Sequence, residues 1–191
     1  LLNDRGTLVD STDASAPSLA TSGLVKGALW SDVNQDGWID LLVTHHWGPV
    51  RYFENHEGSL SDSTDRSGMQ SYQGLWNGIA GADVDNDGDI DYAVTNLGLN
   101  TKYHASKKKP FTMFYGDMDG SGKKRLIEAE YEGDKWYPVR GKSCSTLAMP
   151  SLKNKFPDFG SFAIATLEEI YPPAKLEDSE RFDATHLESG I

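Results

Sequence analysis

The chain has 191 residues, 38% of them hydrophobic and 10% aromatic, which is enough to bury a core and too apolar for a disordered polypeptide. Its formal net charge of −11 opposes attraction to nucleic acid or an anionic membrane surface and favours cations. Cys144 is the single cysteine, so no intrachain disulfide can form, and apolar runs such as Ile39 to Val43 fall far short of the roughly 20 residues that cross a bilayer as a helix.

The chain opens Leu1-Leu2-Asn3-Asp4, without a methionine or a charged-then-apolar leader, as expected of mature or excised sequence. Self-similarity appears at once. Asn3 to Asp13, with Gly6, Leu8 and Ser11-Thr12-Asp13, returns as Asn55 to Asp65 with Gly58, Leu60 and Ser63-Thr64-Asp65, 52 residues on. Gly27 to Thr44 returns as Gly78 to Thr95, 51 residues on, and a weaker copy runs from Phe111 to Gly122. Two separate stretches sharing one displacement mark an internal repeat.

Each copy predicts a short strand, an acidic turn, a second strand rich in β-branched and aromatic residues, then one or two more strands. Val50 to Glu54 and Ser59 to Asp62 are the outer pair of the first copy. Four short strands in roughly 40 to 50 residues are the pattern of a propeller blade. The expected fold is therefore mainly β, a partial propeller of about three blades around residues 24–65, 75–110 and 111–140. Residues 143–184 depart from this pattern: Phe159, Phe162, Ala163, Ala165, Leu167 and Ile170 follow spacings of three and four. Asp158 is placed as an N-cap and Pro172-Pro173 as a stop, which predicts a helical insertion in the third blade. Three blades do not close a propeller of four to eight. Written end to end, Thr185 to Ile191 followed by Leu1 to Leu8 reads as the outer half of one repeat. A second copy, or the remainder of a longer protein, is expected to complete the blade.

The two strong copies place oxygen side chains at positions one, three, five and nine of a turn, with glycine at six. These are Asp32, Asn34, Asp36, Gly37 and Asp40, then Asp83, Asp85, Asp87, Gly88 and Asp91. Calcium takes six to eight oxygens at about 2.3 to 2.6 Å, so alternate residues of a tight turn can share one ion, with the backbone carbonyl of position seven, Trp38 or Asp89, as a further donor. Without a cation the converging carboxylates repel one another. An EF-hand is excluded, since position twelve is Val43 or Val94 and the flanks predict strands. The third loop offers Asp117, Asp119 and Ser121 as ligands, but its position nine is Arg125. Two alternatives stay open there: a guanidinium in the cation's place, or an EF-like set completed by Glu128. Two calcium ions are expected, with the third loop undecided.

These loops resemble those of the FG-GAP/VCBS repeat family. Asn96 to Tyr103, Tyr137 to Arg140 and Met149 to Pro157 are similar to large secreted bacterial FG-GAP-like proteins that often carry an ASPIC/UnbV module. The resemblance implies a non-enzymatic, calcium-rigidified propeller, extracellular or in the cell envelope, used for recognition, adhesion or scaffolding, with a protein or glycan as partner. A polysaccharide lyase is the enzymatic rival, with His45, His46, Arg51 or Lys102 for acid–base work and Trp47 and Trp76 as sugar platforms. Against it, tryptophans at strand ends more often pack blades, and no nucleophile elbow or phosphate loop is present. A purely structural spacer is the third possibility, and Lys107-Lys108-Lys109 reads most simply as a solvated loop.

Overall fold

Alternating apolar residues flanked by glycine and asparagine turns become antiparallel hairpins in the computed structural model, which describes residues 1–191. The chain is mainly β and packs as two compact units, residues 1–99 with 186–191, and residues 100–185.

The first unit opens with strands β1 (Leu2–Asp4) and β2 (Thr7–Val9), a hairpin with every residue exposed. Helix α1 (Thr12–Ser15) and a 3-10 turn over Pro17–Thr21 lead into β3 (Leu24–Ser31). Then β4 (Asp40–Gly48), β5 (Arg51–His56) and β6 (Ser59–Asp62) pair in chain order, all antiparallel. An interior strand has no solvent face, so β4 is apolar on both sides. Leu41, Val43 and Phe53 cluster with Leu19 and Leu60 on one side. A second cluster in the same unit joins Val50, Trp76 and Val94 with Met69 and Ile79. Past a bulge, the far end of β4 pairs with the short β7 (Gly74–Leu75).

The second copy forms the hairpin β8 (Ile79–Ala82) and β9 (Asp91–Val94), and residues 95–110 add no strand. Of the three or four strands expected in this copy, the chain thus supplies the first two in sequence. Beside β9 lies the C-terminal tail: Val94 and Gly190 exchange backbone hydrogen bonds of 2.7 and 3.0 Å. Asn96 holds this tail, donating its amide to the His186 carbonyl at 2.9 Å while accepting from Leu75 N at 2.9 Å. Glycine is required at position 74, where a Cβ would stand 2.6 Å from the Asn96 amide and 2.9 Å from the His186 carbonyl.

In the second unit β10 (Phe111–Gly116), β11 (Arg125–Glu132) and β12 (Lys135–Pro138) run as a meander, followed by five short helices and a final strand, β13 (Glu180–Ala184). The helices are α2 (Lys142–Ala148), α3 (Leu152–Lys155), α4 (Phe159–Ala163), α5 (Leu167–Ile170) and α6 (Pro173–Glu177). Asp158 caps α4 by accepting from Ser161 N at 2.7 Å, and Thr166 with Glu169 forms a capping box on α5. The helices bury Met149, Phe162, Leu167, Ile170 and Tyr171 against Phe114 and Ile127 of the sheet. The helical stretch is shorter than the expected 143–184. It ends at Glu177, and β13 returns to the free edge of β10, whose backbone groups need partners. The sheet order β12-β11-β10-β13 therefore adds its fourth strand beside the first strand, whereas in the first sheet β6 follows the third.

Candidate metal centre

One backbone recipe builds all three acidic turns. Position four and position six have positive φ in each: Gln35 and Gly37, Asn86 and Gly88, Gly120 and Gly122. Gln35 and Asn86 hold φ of 57° and 61°, a conformation that asparagine and glycine adopt most readily. That reversal aims the amides of positions five and six at the carboxylate of position one. Asp32 accepts from Asp36 N at 3.1 Å and Gly37 N at 3.0 Å, and Asp83 from Asp87 N at 3.2 Å and Gly88 N at 3.1 Å. Asp117 accepts in the same way from Ser121 N at 3.0 Å and Gly122 N at 2.8 Å. In the two strong loops position nine closes the turn on position two. Val33 N donates to Asp40 and Val84 N to Asp91, each at 2.9 Å.

The first two loops differ in what surrounds the carboxylate at position nine. In the second loop one oxygen each of Asp83, Asp85 and Asp91 lie within 4.8 Å of one another. Oxygens around one calcium, at about 2.3 to 2.6 Å from it, are at most about 5 Å apart, so this donor set fits the ion. Asp87 stands beside them with one oxygen accepting from Asp89 N at 2.9 Å. In the first loop position three is Asn34, so Asp32 and Asp40 are the carboxylates at the corresponding positions one and nine. Asp40 is fully buried, and protein donors hold both its oxygens: Val33 N, the Tyr52 hydroxyl at 3.0 Å and Asn55 N at 2.7 Å. Burial, reinforced by the hydrogen bond to Asp40, raises the Tyr52 hydroxyl pKa well above its ordinary value. Asn34 donates its amide to Asp36 at 3.0 Å and to Glu54 at 3.2 Å. The two loops stand side by side, linked by Gln35 donating to the Asp89 carboxylate and by a 2.7 Å bond between the Ser31 and Tyr92 hydroxyls. Trp38 donates its backbone N to Asp36 at 2.8 Å and is 44% exposed.

At the third loop the Glu128 carboxylate of the EF-like alternative accepts from Arg140 at 2.8 Å through one of its oxygens. Arg125 lies on β11 opposite Gly116, with its Nε buried and lacking a hydrogen-bond acceptor. The Asp119 carboxyl is held below the usual range chiefly by the Ser121 hydroxyl, with the Arg125 charge adding a smaller share. A cation from the chain thus stands near the acidic pair Asp117 and Asp119.

The residues of the enzymatic rival have varied surroundings. His45 is 5% exposed, and burial followed by the nearby Arg51 charge lowers its pKa from 6.5 to about 4. His46 bonds Asn77 at 3.1 Å and meets the Trp47 ring edge-on. Arg51 pairs with Asp62 and lies over the Phe53 ring. Trp76 is buried, stacks on His186 and donates its indole N–H to the Tyr72 carbonyl at 2.9 Å. Lys102 lies over the Tyr103 ring. Sequence reasoning missed Asn55 and Tyr52, the partners that bury Asp40. The repeat of Asn3 as Asn55 was their one signal in the sequence.

Antiparallel hairpins closed by a nine-residue acidic turn and recurring along the chain define a β-repeat protein. Residues 32–94, from the first acidic turn to the end of β9, match the family model of the FG-GAP-like repeat. The match does not extend to an ASPIC/UnbV module. No curated protein and no solved structure matches the chain.

Proposed function

We propose that this chain is a calcium-binding β-propeller repeat module that works outside the cell or in its envelope, in recognition, adhesion or scaffolding, with calcium in a structural role. The observation that carries the reading is the convergence of Asp83, Asp85 and Asp91 in one exposed turn. Asp83, Asp85, Asp87 and Asp91, with the carbonyl of Asp89, would hold one ion. Asp32, Asn34, Asp36 and Asp40, with the carbonyl of Trp38, would hold the second. When bound, calcium supplies the positive charge that lets several carboxylates share a turn. Loops of this kind bind on the order of 10⁻⁴ M or weaker in extracellular modules, which suits a calcium-rich medium. The consecutive sheet β3 to β6, with its acidic loop between the first two strands, supports the blade reading. A protein or glycan is the proposed partner.

Calorimetric titration with calcium tests this. The unaltered chain is expected to bind two ions, and Asp83→Asn combined with Asp91→Asn to bind one. Absence of saturable binding at millimolar calcium, or unchanged stoichiometry in the double variant, refutes it.

A further inference from the structure

We propose that the two acidic turns of the first unit work as a linked pair, in which Gln35 of the first turn is a positioning residue for calcium in the second. The inference rests on the calcium reading of those turns and names how one site regulates the other.

The bonds that join the turns fall at the positions that matter for an ion. Gln35 is position four of the first turn, between Asn34 and Asp36, and its amide donates to the Asp89 carboxylate. Asp89 is position seven of the second turn, the position that offers a backbone carbonyl. Its own N donates to the Asp87 carboxylate at 2.9 Å. Holding Asp89 therefore holds a carbonyl donor and steadies a carboxylate donor at once. The roots of the turns are joined as well. Ser31, directly before Asp32, and Tyr92, directly after Asp91, share a hydroxyl bond of 2.7 Å, and both residues are half-buried.

The choice of residue at position four supports this role. Each turn needs positive φ there, and the other two use Asn86 and Gly120, which adopt it readily. Glutamine lacks that preference, yet Gln35 holds φ of 57°. Its extra methylene, relative to asparagine, gives it reach to Asp89. A local rule broken in favour of a contact outside the turn is the pattern expected of a functional position.

Charge points the same way. The second turn gathers Asp83, Asp85, Asp87, Asp89 and Asp91, and Gln35 engages one of these carboxylates through a neutral amide. A lysine there would grip Asp89 more strongly but would repel a bound cation. The third turn has such a charge in Arg125, close enough to act on Asp119. Ordering of Asn34 and Asp36 around an ion fixes the corner from which Gln35 reaches, and through Asp89 it orders the second turn. By linkage, filling the second turn strengthens the first by the same factor.

Calorimetric titration of the full chain with calcium chloride tests the proposal. With the first turn emptied by Asp32→Asn and Asp36→Asn, one ion remains. Adding Gln35→Ala should weaken that ion roughly two- to tenfold, the fold-change of one net hydrogen bond. Exchanging the partners, Gln35→Glu with Asp89→Asn, keeps the net charge and remakes the amide–carboxylate bond in the reverse direction, so it should restore the affinity. Gln35 and Asp89 are exposed, and these substitutions leave the core untouched. Urea unfolding in chelator adds a readout without metal: Ser31→Ala and Tyr92→Phe should be non-additive, because they remove one shared bond. An ion unaffected by Gln35→Ala, an exchanged pair as weak as Gln35→Ala, or additive losses in chelator overturn the inference alone. A chain with both turns intact that binds no calcium overturns the calcium reading, and this inference with it.

Discussion

Asp40 and Asp91 hold the same position in two copies of one loop, yet truncating them should have unequal costs. Asp40 is fully buried and accepts from Val33 N, the Tyr52 hydroxyl and Asn55 N, two of which belong to β5. Hydrogen bonds to a charged acceptor contribute about 1.5 to 3 kcal/mol each, and donors left buried without a partner add their desolvation cost. The three bonds share one carboxylate and are not additive, so Asp40→Ala should cost about 3 to 5 kcal/mol in chelator. Asp91 accepts one backbone N–H in an exposed turn where water can replace it, and Asp91→Ala should cost about 1 kcal/mol or less. Against a total stability of about 5 to 15 kcal/mol, the first loss is large. Urea unfolding followed by tryptophan fluorescence reads the difference, because Trp30, Trp38, Trp47 and Trp76 lie in the first unit and Trp136 alone in the second. With a denaturant slope of about 1 to 3 kcal/mol/M, Asp40→Ala should lower the midpoint by roughly 1 to 3 M and Asp91→Ala by a few tenths. Equal midpoints in chelator would refute the assignment of Asp40 as the brace between loop and sheet.

Three further outcomes are expected. The depressed pKa of His45, about 4 against an ordinary 6.5, keeps it neutral in the fold while the unfolded chain protonates. Its stability contribution is full above pH 6.5 and is lost as pH falls toward 4, by up to roughly 3 kcal/mol, and His45→Gln should flatten the pH dependence of the urea midpoint in that window. Arg125→Asp restores an acidic ligand at position nine of the third loop, and calorimetry should count one more calcium per chain than in the unaltered protein. Calcium bound only by the folded chain stabilises it by mass action, so the melting temperature should rise with calcium and fall in chelator; a melt indifferent to both would remove the structural role.

The acidic turns were legible in the sequence because their geometry is local. Positive φ at positions four and six, and the amides of five and six turned on position one, depend only on residues within the nine-residue turn. The hairpins β3–β4, β8–β9 and β10–β11 were legible for the same reason, each joining strands across one such turn. Tertiary structure alone decided what those turns became. Asp40 is drawn into the core by Tyr52 and Asn55, which arrive on a separate hairpin, whereas Asp91 lacks that hairpin and stays with Asp83 and Asp85 at the surface. The spacing of Phe159 to Ile170 announced helices, but it carried no sign that Glu180–Ala184 would return to β10, since an exposed strand edge takes whatever compatible segment the fold brings to it. Trp76 likewise became core because His186 arrives from the far end of the chain to stack on it, a long-range contact that no local pattern encodes.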